Sequence, residues 1–297
     1  METPPMTVAQ RFSRTEIIRR LRSEVDAGRP IIGAGCSSGL IARAAVAGGA
    51  DLVIVYNTGR SRLAGLPTSA TGNHANPTTM AMYREIANVV PDVPIVGGAE
   101  AADPTYLYDV PRLVDDYVRT GFDGVINFPT TGARNTHNPE RDAVGLGVHR
   151  DYELVAAARA ADTFTICYAY TEEQARGVTE AGADAIVPHV GWTTGGFVGA
   201  GASALELDAA CERVQSFLEV ARAVNPDVFV LSHGGPLEGA DSTRYLYENT
   251  DAQGFLGASS VERLPVEAGI VETIHGFRQH RPRASRTTGT ATNGEYA

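Results

Sequence analysis

Lysine is absent from this chain of 297 residues, so all 25 positively charged side chains are arginines. Schiff-base aldolases and pyridoxal enzymes need a lysine amine as their covalent nucleophile. The phosphate-binding P-loop also contains an essential lysine. The missing residue type therefore excludes all three of these mechanisms.

Cysteine, long apolar runs and excess positive charge are missing as well. The cysteines Cys36, Cys167 and Cys211 are too few and too scattered for a disulfide framework, which favours a reducing cytoplasm. No apolar run approaches the roughly 20 residues of a membrane span, and residues 1–12 do not resemble a signal peptide. We therefore expect a cytoplasmic protein with no membrane partner. Its net charge of −10 argues against nucleic acid as the main partner but leaves open a small anion in a local basic pocket.

What the chain does contain is a repeated pattern of short apolar runs, each followed by polar residues and an amphipathic stretch. Each run is too short for a core helix and too evenly apolar for a strand with one wet face, so it predicts a buried parallel strand. The pattern predicts an α/β protein, a TIM (β/α)8 barrel formed as one domain by residues 1–280. The runs are 30–33, 52–56, 94–98, 124–128, 164–168, 185–189, 228–232 and 255–258.

Helices are expected between these strands and at both ends of the chain. Residues 7–28 predict an extra N-terminal helix that closes the floor of the barrel, since Ile17, Leu21 and Val25 recur at helical spacing. Residues 281–297 have little to bury and predict a disordered tail. The remaining helices are predicted near 38–48, 77–90, 106–119, 150–161, 171–181, 205–224, 240–249 and 261–278.

Three long connections, 57–76, 129–149 and 190–204, follow predicted strands. Loops that follow the strands of such a barrel lie on the face where its chemistry is found. We therefore look for the functional residues at the ends of the strands.

Glycines and serines follow the first and eighth predicted strands and lead directly into helices. Backbone N–H groups and hydroxyls in such loops suit an anion, although a serine-capped turn explains each loop equally well. Closure of the barrel would bring the two loops together, which favours anion binding. The predicted substrate-binding residues here are Gly35, Ser37, Ser38, Gly257, Ser259 and Ser260.

Strands two, three and four supply further candidates. Asn57 and Arg60 follow strand two, and an arginine there suits a carboxylate, although an ion pair within the loop is the alternative. Glu100 follows strand three and is a candidate general base or metal ligand. Asn127 ends strand four and is a candidate for holding an oxyanion or enolate oxygen.

Two histidines, His189 and His233, end the consecutive strands six and seven. Neighbouring strands lie about 5 Å apart, so the two rings should be close together. They are candidates for a general acid and base, or for two ligands of one metal ion. Thr193 and Thr194 lie in the loop after strand six and are predicted to contact substrate.

Several of these segments, GAGCSSGL, GFDGVINFPTTG, HVGWTTGG, SHGGP and GFLGASSVERLP, resemble the phosphoenolpyruvate hydrolase-like family of TIM-barrel proteins over about residues 10–278. The resemblance implies membership of the phosphoenolpyruvate/pyruvate barrel superfamily and a homo-oligomer. A similar domain follows an ATP-binding domain in a plant antiviral resistance protein, which implies a separate ATP-binding subunit as a candidate partner.

The sequence departs from the better-known branches of that superfamily at the metal site. Those enzymes bind Mg²⁺ through an Asp-x-Asp motif and close a lysine-cysteine loop over the substrate. Here the corresponding segment, 99–103, reads AEAAD, and the chain has no lysine. No cofactor is therefore assigned, and a divalent metal, Mg²⁺ or Zn²⁺, stays open.

The sequence favours an enzyme, a lyase or hydrolase that cleaves a bond next to a pyruvate-like unit of a small anionic 2-oxo or enol acid. In this hypothesis Arg60 and the serine loops hold the carboxylate, Asn127 steadies the enolate, and His189, His233 or Glu100 moves the proton. One alternative is a non-catalytic anion-binding or regulatory module, which an apolar barrel mouth would favour. Another is a metal-dependent lyase or hydrolase that uses the two histidines.

Overall fold

The computed structural model describes residues 11–70, 74–137, 139–201 and 205–280. Its eight parallel strands pair in chain order and close into a barrel, with β1 against β8. The predicted TIM barrel is thereby confirmed. The strands are β1 Ile31–Gly35, β2 Leu52–Val55, β3 Ile95–Ala99, β4 Gly124–Asn127, β5 Phe164–Ala169, β6 Ala185–Pro188, β7 Phe229–Ser232 and β8 Gly254–Gly257.

The helices largely follow the predicted pattern, with several differences. The N-terminal helix begins at Arg14 and not near residue 7, and the helix predicted over 261–278 is divided in two at Arg263. The helix expected from 106 begins at Val110, where the Asp109 carboxylate accepts a hydrogen bond from the N–H of Arg112. Two of the long connections contain short helices of their own, α3 and α6. The helices are α1 Arg14–Asp26, α2 Gly39–Ala47, α3 Gly59–Leu63, α4 Ala75–Ala87, α5 Val110–Thr120, α6 Thr131–His137, α7 His149–Ala160, α8 Glu172–Glu180, α9 Leu207–Val224, α10 Ala240–Asn249, α11 Ser259–Glu262 and α12 Leu264–Arg278.

Side chains alternate between the two sides of every strand, and this alternation divides the core. On β2, Leu52 and Ile54 belong to the cluster inside the barrel, whereas Val53 and Val55 pack outward against the helices. The inner cluster also contains Ile17 of α1, so the N-terminal helix closes the barrel as predicted. The predicted tail at 281–297 lies outside the described residues, and the single-domain boundary stays a prediction.

Two buried aspartates connect the N-terminal segment of the chain to the N-terminal ends of the strands. Asp123 accepts hydrogen bonds from the backbone N–H groups of Arg11 and Phe12 and from that of Ile95. Asp184 receives the Arg14 guanidinium at 2.6 Å and the N–H of Thr165 at 3.0 Å. The same carboxylates therefore fix both the floor and the strands that rise from it.

The last helix, α12, has no buried residue, unlike the other long helices of the described chain. Ile270 and Phe277 are 59% and 70% exposed, and Val266 and Ile274 lie on the same side of the helix. A contiguous apolar stripe of this kind usually marks a contact with another protein surface. Within the described residues, no helix has the length and apolar character that a membrane span needs.

We expect this stripe to mediate self-association, in line with the predicted homo-oligomer. Light scattering after size exclusion should give a multiple of the 31.4 kDa chain. The double substitution I270E/F277E should shift that mass to a monomer, because it places two charges on the stripe. Ala268→Glu, on another side of the same helix, should leave the mass unchanged. A monomeric parent protein would contradict the expectation.

Candidate active site

A cavity of about 650 Å³ opens at the carboxyl ends of the strands. Its base is formed by side chains that come two positions after an inward-facing residue of a strand. Leu231 faces inward on β7 and is followed two residues later by His233, and Val187 on β6 is followed in the same way by His189. The other base positions of this kind are Tyr56, Phe128, Tyr168 and Ala258.

The two predicted histidines meet at this base. His189 and His233 are paired across β6 and β7, and their ring centroids are 4.8 Å apart. The Nδ1 of His189 accepts the backbone N–H of Gly191 at 3.2 Å, so its proton resides on Nε2. The Nδ1–H of His233 donates to the carbonyl of Leu256 at 2.6 Å, which leaves its Nε2 as an acceptor. The pair therefore offers one donor and one base.

Burial keeps both rings neutral. It lowers the pKa of His233 from 6.5 to about 4. Burial also lowers the pKa of His189 well below its usual value, and repulsion from a protonated His233 and from Arg213 would act in the same direction. At neutral pH neither ring carries a charge, so a neutral imidazole is available as a general base.

Three tyrosines surround the histidines. The hydroxyls of Tyr56 and Tyr168 are hydrogen-bonded at 2.8 Å, and the Tyr168 ring lies edge-on to His189 and tilted against His233. The ring of Tyr170 stacks on His189 at 4.7 Å. Burial raises the pKa of all three phenols, so they stay protonated. These contacts fix the orientation of both imidazoles.

Arg62, rather than the predicted Arg60, reaches the cavity. Arg60 is exposed on α3, and residues two apart on a helix point in different directions. Arg62 is buried, forms a 2.5 Å ion pair with Glu262 and donates to Thr58, which also lines the cavity. Its Nη2 has no hydrogen-bond partner among the described residues. One guanidinium donor is thus left for a ligand.

Glu100 does not line the cavity, because its carboxylate forms an ion pair with Arg134, which does. Arg263 also lines the cavity and pairs with Glu267 at 3.3 Å. The predicted base Glu100 is therefore connected to the cavity only through its ion pair with Arg134.

Asn127 lies on the outer side of the barrel wall and does not line the cavity. Its amide donates to the carbonyl of Tyr168 at 3.1 Å and accepts the Tyr168 N–H at 2.7 Å. It also donates to Asp151, whose pKa burial raises to about 6. Asn127 is therefore placed to position Tyr168, not to contact a substrate.

The glycine and serine loops come together as predicted, but only one of their hydroxyls reaches the cavity. Ser259 lines it, whereas Ser38 caps α2 by accepting the N–H of Ile41. Ser37 is buried against Gly59, whose missing side chain gives the serine its space. Gly35, Gly257 and Ser260 lie outside the lining of the cavity. Asn57 also lies outside it, and its buried side-chain amide has no hydrogen-bond partner among the described residues.

The two predicted threonines of the loop after β6 have different surroundings. Thr193 lines the cavity, whereas Thr194 donates through N–H and hydroxyl to Glu238. Arg263 donates to the carbonyl of Gly195 in the same loop at 2.9 Å. These bonds fasten the loop that carries Trp192 over the cavity.

Sequence reasoning missed most of the aromatic lining. Tyr56, Phe128 and Tyr168 face inward within one residue of the ends of their strands, and counting by two from Leu52, Ile126 and Phe164 would have identified them. Arg62 and Trp192 carried no such signal, because the conformation of their loops is not periodic.

Residues 16–280 match the family described as phosphoenolpyruvate hydrolase-like. The chain belongs to this family. The ToMV resistance protein Tm-1(GCR237) of Solanum lycopersicum is 37% identical over 274 residues, which cover 89% of this chain and 35% of the tomato protein. This family member thus spans about a third of the length of that relative.

Solved structures share the fold at low sequence identity. An oxaloacetate acetylhydrolase is 20% identical with a TM-score of 0.59, covering 90% of this chain and 88% of its own. A phosphonopyruvate hydrolase, solved as a complex with oxalate and Mg²⁺, is 17% identical with a TM-score of 0.53, covering 89% of this chain and 87% of its own. These similarities establish the barrel.

The cavity does not fit the Mg²⁺ seen in that phosphonopyruvate hydrolase. Mg²⁺ prefers carboxylate and water oxygens, and no aspartate or glutamate is among the described residues that line the cavity. Nor do the described residues contain a group of three or more histidine, cysteine or acidic side chains placed to hold a metal ion. The two histidines alone fall short of the three protein ligands usual for catalytic zinc.

Acid should destabilise the protein through the histidine pair. Because the folded-state pKa of His233 is about 4 against 6.5 normally, the unfolded chain binds more protons between those values. His233 alone should therefore cost the folded state about 3 kcal/mol as the pH drops across this window, while the raised pKa of Asp151 acts in the opposite direction in the parent and in a histidine variant alike. Urea unfolding at several pH values measures the effect, and H189Q/H233Q should lose less stability than the parent as the pH falls. Equal slopes would contradict the assigned neutral state.

Asn127→Ala should destabilise the fold by about 2 kcal/mol or more, because it removes two bonds to Tyr168 and leaves buried groups unsatisfied. The urea midpoint should fall with an unchanged slope. Asn249→Ala is the matched control, since Asn249 is exposed and makes a single helix hydrogen bond. Equal losses in the two variants would show that Asn127 has no special positioning role.

Proposed function

We propose that the protein is a lyase that breaks the carbon–carbon bond next to a pyruvate-like unit of a small 2-oxo acid. The observation that carries the proposal is the pair of neutral histidines with opposite tautomers at the base of the cavity. A base and a hydrogen-bond donor side by side are what enolate chemistry requires.

The proposed reaction converts a 4-hydroxy-2-oxo acid into an aldehyde and pyruvate. His233 Nε2 takes the hydroxyl proton, the bond between the third and fourth carbons breaks, and its electron pair forms the enolate of pyruvate. The Nε2–H of His189 donates to the enolate oxygen, and Arg62 holds the carboxylate. The proton on His233 then passes to the third carbon. No water, electron or proton is gained or lost overall.

Two observations support this reaction class. The family description refers to phosphoenolpyruvate, and the fold is shared with enzymes named for oxaloacetate and phosphonopyruvate. The chain also has no lysine for a Schiff base, so an enolate here would be held by hydrogen bonds. In the proposal, Arg62 and His189 replace Arg60 and Asn127, which do not line the cavity.

A non-catalytic binding module is the second candidate. It is favoured by the largely aromatic and apolar lining, which includes Phe128, Pro129, Trp192 and Val198. In that case the histidines would recognise a small anionic ligand without turning it over. Association with a separate ATP-binding protein also stays a prediction, as does a cytoplasmic location.

Hydrogen exchange separates the two candidates. The enzyme should exchange the methyl protons of pyruvate with deuterated water, because this reverses the last protonation step, and proton NMR follows the loss of signal. His233→Gln should slow exchange about 100-fold or more by removing the base. The rate should stay flat through pH 6.5 and fall only toward the His233 pKa of about 4.

His149→Gln is the matched control, because His149 lies at the start of α7 and does not line the cavity. Its exchange rate should equal that of the parent. Pyruvate that binds without exchanging would favour the binding module, and full exchange by His233→Gln would remove His233 from the mechanism.

A further inference from the structure

The cavity is large for a three-carbon acid. Its volume of about 650 Å³ lies in the range of about 300–1,000 Å³ that is typical of sites for drug-sized ligands. Pyruvate or oxalate would occupy only a small part of it. The size therefore points to a substrate with a body beyond its pyruvate-like head.

The wall offers that body an aromatic surface. Trp192 lies at the mouth of the cavity and is 62% exposed, although the loop that carries it is held by Glu238 and Arg263. Tyr170 and Phe128 form the wall nearer the base. An exposed indole on a fastened loop suits stacking on an apolar or aromatic group.

The charges of the cavity are already compensated. Each arginine in the described lining has a glutamate partner: Arg62 with Glu262, Arg134 with Glu100, and Arg263 with Glu267. The histidines are uncharged, so no unpaired cation faces a second anionic group. The free Nη2 of Arg62 can serve one carboxylate. A substrate with two or three negative charges is poorly matched.

We infer that the substrate is a monocarboxylic 2-oxo acid with an aromatic or bulky apolar substituent, in contrast to the compact dianions named for the enzymes of similar fold. The inference rests on the proposed function for the 2-oxo acid head. It assigns the substituent to the wall formed by Trp192 and Phe128, and the carboxylate to Arg62.

Calorimetric titration with phenylpyruvate, pyruvate and oxaloacetate tests this substrate class. Phenylpyruvate should bind about tenfold or more tightly than either small acid, since its ring buries apolar area. Equal or tighter binding of pyruvate or oxaloacetate, or no binding of phenylpyruvate, would overturn the inference.

Two variants test which residues cause the preference for phenylpyruvate. Trp192→Ala should weaken phenylpyruvate binding about fivefold and leave pyruvate unchanged, because stacking on the ring contributes about 1 kcal/mol. Glu100→Gln releases Arg134 from its ion pair and should strengthen oxaloacetate binding about tenfold while changing phenylpyruvate less. If Trp192→Ala leaves the affinity for phenylpyruvate unchanged and Glu100→Gln leaves the affinity for oxaloacetate unchanged, the aromatic wall and the compensated charge do not set the preference.

The order of affinities tests the substrate class, and the exchange assay tests the proposed function, so either can be contradicted without the other. Exchange of pyruvate protons with no preference for phenylpyruvate would overturn the substrate class and leave the proposed function standing. Tight phenylpyruvate binding without exchange of either acid would overturn the proposed function and leave the ligand class standing.

Discussion

The site depends on one constraint, the alternation of side chains across the strands of a closed parallel barrel. Because every second residue must face inward, the first position beyond six of the eight strands, all but β1 and β3, faces the same central space. In β6 and β7 that position is histidine, and in β2 and β5 it is tyrosine. The chemistry of the cavity is thus set by residues that complete the pattern of the hydrophobic core.

The position of these residues at the end of the core explains why the site carries little net charge. Groups that continue a core are buried, and burial disfavours their charged forms, as the lowered pKa of His233 and the raised pKa of Tyr168 show. Arg62 is buried together with Glu262 for the same reason, since an unpaired guanidinium would be costly there. A ligand therefore meets one hydrogen-bond donor, on His189, and one acceptor, on His233, and the backbone partners of the two imidazoles fix these roles.

The sequence was sufficient for the barrel and for the histidine pair, because both follow from periodic strands. It was insufficient for Asn127. This residue is the last of β4, whereas each histidine comes one residue after its strand, so the side chain of Asn127 faces outward and bonds to Tyr168. It was also insufficient for the choice between Arg60 and Arg62, which depends on a short helix inside a predicted loop. The serine loops were ambiguous, since capping and ligand binding use the same hydroxyls.

A shared fold therefore does not imply a shared site. The barrel fixes where side chains meet, whereas their identity decides what they do. Here the lining offers imidazole and phenol groups and not the carboxylates that Mg²⁺ prefers, and the neighbouring glutamates neutralise arginines. Under the proposed function, an enolate would be held only through donors already in place. In that proposal, the hydrogen bonds that set the tautomers of His189 and His233 matter as much as the rings themselves.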